Sequence, residues 1–167
     1  MRLLVRSTVK VERGGLPLEG VCTYSRRDRS FGFVPTRPSA LERLIGLDGT
    51  ASYSLGLLEI EFCVSTGQLL YAWGYLPESA WREERLESPT YVEGTVRCSN
   101  QAAQRGVSYP LQTSRAWLAQ FDSGNGWIRV SCSSGGGETG VLIATSTIVV
   151  PCGESISELW LRPTYID

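Results

Sequence analysis

The sequence predicts a mainly β protein, an antiparallel sandwich or partly open barrel of about 8–10 strands with two short helices. Apolar and polar residues alternate with a period of two along most of the chain, and turn-forming residues separate the alternating runs. No segment resembles the long helices that cross over between parallel strands. With 167 residues, 42% of them hydrophobic, the chain is expected to form a single globular domain, 1–167.

The first elements are expected to form a meander of three strands. Residues 2–12 alternate cleanly, and two further alternating runs cover 20–26 and 30–34. A short helix should follow, because Ser39 and Glu42 have the spacing of a capping box. Gly46 provides a natural end for this helix.

The strongest hairpin signal covers residues 57–76. Two alternating runs flank a turn at 65–67, and Pro77 ends the second run. A second short helix is predicted over 79–87, where Trp81 and Arg85 are four residues apart.

The second half of the chain contains further strand signals. A hairpin is predicted over 116–132, because Asn125-Gly126 is a favoured pair in tight turns. The remaining predictions are a strand over 91–98, an irregular loop over 99–115, a flexible joint over 133–137, one long strand over 140–150 and a last strand over 155–162.

The composition excludes several classes of active site. There is no histidine, so histidine-dependent triads and histidine-ligated metals are excluded. A net charge of −1 gives no general attraction to nucleic acid or to an anionic membrane. The sequence therefore predicts no cofactor and no metal, disfavours a nucleic-acid partner, and leaves enzymatic activity uncertain with a leaning against it.

The cysteines and the N-terminus favour a cytoplasmic location. The five cysteines are odd in number and include no Cys-x-x-Cys pair, so reduced and mostly buried thiols are expected. The first 15 residues have no apolar segment of the kind found in signal peptides. No run approaches the roughly 20 apolar residues of a membrane-spanning helix, so no membrane association is expected.

The acidic segment after Pro77 is the first candidate site. On a short exposed helix, its carboxylates would form a docking surface for a protein partner, with a basic surface as the natural complement. Trp81 would be the buried anchor of that interface. The predicted partner-binding residues are Glu78, Trp81, Glu83, Glu84 and Glu87.

Two alternatives use other residues. An aromatic-lined cavity in a β-barrel would bind a small apolar ligand. Its predicted lining residues are Tyr71, Trp73, Tyr75 and Trp127, of which Trp127 is expected to be partly exposed because it follows a turn. In the less favoured alternative, Glu59 and Glu61 project from one side of a strand and serve a carboxylate-based hydrolase.

The leading functional hypothesis is a non-enzymatic protein-binding module. One specific form of it is an immunity-type inhibitor that neutralises a toxin by covering its active site. Small size, a single domain and the acidic segment motivate this hypothesis, which otherwise depends on elimination of catalytic arrangements.

Overall fold

A computed structural model describes residues 8–111, 116–132 and 138–167. In these residues the chain forms fifteen strands and one α-helix. The first seven strands are β1 (Thr8–Arg13), β2 (Gly20–Ser25), β3 (Ser30–Pro35), β4 (Thr50–Leu55), β5 (Leu58–Cys63), β6 (Leu69–Tyr75) and β7 (Trp81–Glu83). The others are β8 (Tyr91–Ser99), β9 (Ser108–Pro110), β10 (Leu118–Phe121), β11 (Ile128–Ser131), β12 (Gly140–Ala144), β13 (Thr147–Cys152), β14 (Ser155–Leu161) and β15 (Thr164–Tyr165). The helix α1 is Pro38–Ile45.

The strands form two packed sheets, which confirms the prediction of a mainly β sandwich. The eight-stranded sheet has the order β1-β8-β12-β13-β14-β11-β10-β7, and the seven-stranded sheet has the order β15-β2-β3-β6-β5-β4-β9. The sheets do not close into a barrel. One core lies between them, and it takes side chains such as Phe62 from β5 and Leu159 from β14.

The hairpin of β5 and β6 confirms the strongest sequence signal. Leu58, Ile60 and Phe62 are buried in the core, whereas Glu59 and Glu61 alternate with them and point away from it. Since a strand directs successive side chains to opposite faces, this pattern sets the register of the whole hairpin.

The predicted capping box is wrong, although the helix itself is confirmed. Arg37, not Ser39, occupies the N-cap and makes no side-chain cap hydrogen bond, while Pro38 starts the first turn. At the other end Gly46 adopts φ 66° and donates its N–H to the Glu42 carbonyl at 3.0 Å, as expected of a glycine stop.

The predicted second helix over 79–87 is also wrong. A 3₁₀ turn covers Glu78–Ala80, and β7 follows as the edge strand beside β10. The Trp81 ring packs between the sheets, 4.9 Å from the Tyr24 ring and 5.3 Å from the Phe121 ring. Burial of this aromatic side chain outweighs the weak helical preference of so short a segment.

The predicted meander of the first three strands is wrong in its first member. Strands β2 and β3 pair as expected, but β1 pairs with β8 in the opposite sheet. A period of two identifies strands without identifying their partners, because pairing depends on contacts distant in sequence. Residues 1–7 of the predicted strand 2–12 lie outside the described residues.

Two predictions in the second half need correction. The segment 140–150 is not one strand but part of a hairpin, β12 and β13, with a turn in which Ser146 has φ 55°. The segment 99–115 is not wholly irregular, since β9 pairs with β4. The strand over 91–98, the hairpin over 116–132 and the last strand are confirmed, and the joint at 133–137 lies outside the described residues.

All five cysteines are free, and most of them follow the expected burial. Cys22, Cys63 and Cys98 are buried, and burial raises the pKa of Cys22 and of Cys98 to about 12. Cys152 is exposed, contrary to the expectation, because it lies at the end of β13 beside a turn. No helix among the described residues has both the length and the apolarity needed to cross a membrane.

A strap, residues 84–90, connects β7 to β8 across the outer face of the eight-stranded sheet. Leu86 of the strap packs on a second apolar cluster of Trp127, Ile148, Val150 and Trp160. Trp127 is only 5% exposed, so its predicted exposure is wrong. Its ring lies edge-on to Trp160 at 6.2 Å, and the Arg162 guanidinium lies over it, 4.8 Å from the ring centroid.

Asp122 is expected to hold the strap in place. Its carboxylate accepts hydrogen bonds from the backbone N–H groups of Leu86 and Gly124, each at 2.7 Å, which lower the pKa of Asp122. Because the pKa of Asp122 is lowered in the folded state, the contact stabilises the strap at pH values above the ordinary pKa of about 4. This stabilisation is lost as the pH falls through the lowered pKa.

Asp122→Ala should therefore accelerate amide hydrogen exchange at Leu86 at neutral pH, measured by NMR. In the wild type, the same amide should lose protection on acidification below about pH 4. Asp48→Ala, at an exposed loop position, is the control. Unchanged protection of Leu86 in Asp122→Ala would show that the carboxylate does not hold the strap.

Candidate binding face

Three of the predicted ligand residues form one row on the outer face of the seven-stranded sheet. Tyr71, Trp73 and Tyr75 alternate along β6, and Trp73 and Tyr75 are 40% and 41% exposed. Tyr71 is partly buried and stacks on Phe33 with ring centroids 5.5 Å apart. Large exposed aromatic side chains clustered on one sheet face are typical of a binding surface.

Two carboxylates stand beside this row. Register pairs Glu61 with Tyr71 and Glu59 with Trp73, and opposite residues of an antiparallel pair share a face. The Trp73 indole Nε1 donates to Glu61 Oε2 at 2.7 Å. Burial and the Glu61 charge together raise the pKa of the Tyr71 phenol. We call Glu59, Glu61, Tyr71, Trp73 and Tyr75 the aromatic–acidic face.

The Glu59 carboxylate is held from the neighbouring edge of the sheet. The Ser108 hydroxyl of β9 lies 2.9 Å from both Glu59 oxygens. Together with the indole contact to Glu61, this fixes both carboxylates while keeping them on the outside of the molecule. The predicted placement of the two carboxylates on one face is confirmed.

The strands of the seven-stranded sheet contain negative charge only, and the arginines nearest to them in sequence lie in the turn between β2 and β3. None of its seven strands contains Lys or Arg, and its only charged strand residues are Glu59 and Glu61. The eight-stranded sheet differs, since it includes Lys10, Arg97 and Arg129 among others. The aromatic–acidic face therefore has acidic charge without a cation on its own strands to neutralise it.

The predicted ligand set does not come together completely. Trp127 lies in the apolar cluster on the opposite sheet, away from the β6 row. The row itself lies on an open sheet face and does not line the interior of a barrel. The alternation along β6 is visible in the sequence. The position of Trp127 on the other sheet is not, because it depends on which strands pair.

The acidic segment makes contacts within its own chain. Glu78 forms a salt bridge with Arg26 at 3.4 Å, and Glu84 accepts a hydrogen bond from Gln120 Nε2 at 2.6 Å. Glu83 accepts from the Ser123 backbone N–H at 3.1 Å. The Arg26 guanidinium neutralises the Glu78 carboxylate, which leaves Glu78 less charge to offer a partner. The contacts of Glu83 and Glu84 attach β7 and the strap to β10 and the turn that follows it.

Trp81 is the least accessible of the predicted partner-binding residues. Its indole lies in the aromatic cluster between the sheets, and its buried Nε1 has no hydrogen-bond partner among the described residues. Because the ring already packs inside its own chain, this placement does not favour Trp81 as the anchor of an interface. Glu87 lies on the strap and lines a groove on the outer face of the eight-stranded sheet.

In the described residues, no three His, Cys, Asp or Glu side chains are grouped so that they could hold a metal ion. Comparison with models of known protein families finds no match, and comparison with curated protein sequences finds none. The case for a function therefore depends on the geometry of the surface.

Proposed function

We propose that the protein is a binding module that uses the aromatic–acidic face to hold a basic segment of a protein partner. The observation that carries this proposal is an exposed row of aromatic rings next to Glu59 and Glu61, on a sheet without Lys or Arg in its strands. Arginine and lysine side chains interact favourably with aromatic rings and with carboxylates. The face of an aromatic ring attracts a cation, and a carboxylate forms an ion pair with it.

The fixed positions of the side chains support the same reading. Trp73 is tied to Glu61 and Glu59 to Ser108, so binding would order few side chains. Because less conformational entropy is lost, a preordered surface of this kind binds more tightly than a flexible one. An immunity-type inhibitor that covers the active site of a toxin is a specific form of this proposal, and a cytoplasmic location stays a prediction.

A peptide of alternating Arg and Gly, with a fluorescent label, tests the proposal by anisotropy at low salt. It should bind saturably, whereas a Glu-Gly peptide of equal length should not. Trp73→Ala should weaken binding roughly three- to tenfold, as expected for loss of a cation–π contact. Added salt should also weaken binding of the Arg-Gly peptide to the wild-type protein, because it screens the charges.

Two matched controls separate this face from general charge effects. Tyr91→Ala removes a 46% exposed ring from the opposite sheet and should leave binding unchanged. Glu61→Gln should weaken binding, and Glu93→Gln, on the strand that contains Tyr91, should have little effect. Equal binding of both peptides, or equal losses in Trp73→Ala and Tyr91→Ala, would refute the proposal.

A further inference from the structure

A groove of about 290 Å³ lies on the outer face of the eight-stranded sheet, away from the aromatic–acidic face. The strap forms one wall of it. Strand residues of the sheet form its floor, and Glu138 lies at its border. The lining residues are Arg85, Leu86, Glu87, Ser88, Pro89, Thr90, Arg129, Glu138, Val150, Glu158 and Trp160.

The floor of the groove contains a buried ion pair. Arg129 on β11 forms a salt bridge with Glu158 on β14, and Trp160 Nε1 donates to the second Glu158 oxygen at 2.8 Å. Arg129 also donates to Gln120 Oε1 at 3.0 Å. Glu158 is only 6% exposed. Removing two charges from water costs free energy unless hydrogen bonds satisfy them. Here the hydrogen bonds to Arg129 and Glu158 satisfy the pair and hold it as a rigid polar floor.

The rest of the lining includes both signs of charge. Arg85 of the strap supplies a cation, while Glu87 and Glu138 supply carboxylates. Leu86, Pro89, Val150 and Trp160 provide apolar surface between them. A simple anion would be repelled by the carboxylates, and a simple cation would be repelled by the arginines. A ligand with one charge of each sign and a short apolar part matches the whole lining.

The size of the groove restricts the ligand further. Pockets for drug-sized ligands occupy about 300–1,000 Å³, so a groove at the lower end of that range fits a molecule of few atoms. A free amino acid is small enough for such a groove.

We propose that this groove binds a small zwitterion of the free α-amino acid class. Arg85 pairs with the ligand carboxylate, the exposed carboxylates of Glu87 and Glu138 face its ammonium group, and its side chain lies on Trp160 and Val150. This site uses none of the residues of the aromatic–acidic face, so either proposal can fail without the other.

The experiment is a ligand-observed NMR screen of the folded protein against the standard L-amino acids, each at about 1 mM, where millimolar affinity gives a signal. At least one amino acid should bind. For the best of them, the analogue without the ammonium group and the analogue without the carboxylate should each bind at least about tenfold more weakly.

Variants locate the binding site. Arg85→Gln should weaken the amino acid at least about tenfold, because it removes the charged partner of the carboxylate. Arg82→Gln, an exposed arginine on β7 outside the groove, should bind as the wild type does. Trp73→Ala should also retain binding. Absence of any signal, full binding by Arg85→Gln, or equal binding of an analogue with a single charge would overturn the proposal.

Discussion

Glu158→Ala is expected to lower the free energy of unfolding by about 3–5 kcal/mol, which is the cost of breaking a buried ion pair. The substitution leaves the mostly buried Arg129 without its carboxylate and leaves Trp160 Nε1 without its acceptor. Urea denaturation followed by tryptophan fluorescence measures this loss.

The matched control is an exposed pair in the same sheet. Glu12 and Arg97 lie 3.7 Å apart with both side chains substantially exposed, so Glu12→Ala should cost at most about 1 kcal/mol. Similar losses in the two variants would mean that the Arg129–Glu158 pair is solvated, and the rigid floor of the groove would lose its basis.

Phe62→Ala is the second large effect, with an expected loss of about 3–5 kcal/mol for removing a buried aromatic ring. Phe62 is fully buried between the sheets and stacks on Tyr53 with ring centroids 4.3 Å apart. Thermal or urea unfolding measures the loss, and Phe62→Leu should cost less because it leaves a smaller cavity.

Leu57→Ala provides the comparison for this second effect. Leu57 lies in the turn before β5 and is exposed, so its truncation should change stability by no more than about 0.5 kcal/mol. If Phe62→Ala were equally mild, the packing of the two sheets around a shared core would be contradicted.

Local patterns in the sequence identified elements well where alternation was strong. Leu58, Ile60 and Phe62 alternate with Glu59 and Glu61, and both the hairpin and the direction of its faces followed from that alone. The helix prediction for the segment around Trp81 was wrong because the local pattern does not decide its structure. The conformation of this segment depends on contacts of Trp81 with Tyr24 and Phe121, which lie far away in sequence.

The two sites differ in the same way. The aromatic–acidic face comes mainly from one hairpin, so period-two patterning was enough to predict that Glu59 and Glu61 share a face and that Tyr71, Trp73 and Tyr75 form a row. The groove lies between the strap and strands β11 and β14. Arg129 of β11 pairs with Trp160 of β14, although the two residues are 31 positions apart in the chain. No local pattern indicates that contact.

Indole N–H resonances test most directly the claim that the aromatic–acidic face holds a basic segment. The five tryptophans give separate signals in a ¹H–¹⁵N spectrum, and Trp73→Phe assigns the one that belongs to Trp73. Addition of the Arg-Gly peptide should shift the Trp73 indole signal, because its N–H is bonded to Glu61, and should leave the buried Trp160 signal in place. A shift of Trp160 or Trp81 with Trp73 unmoved would contradict the claim.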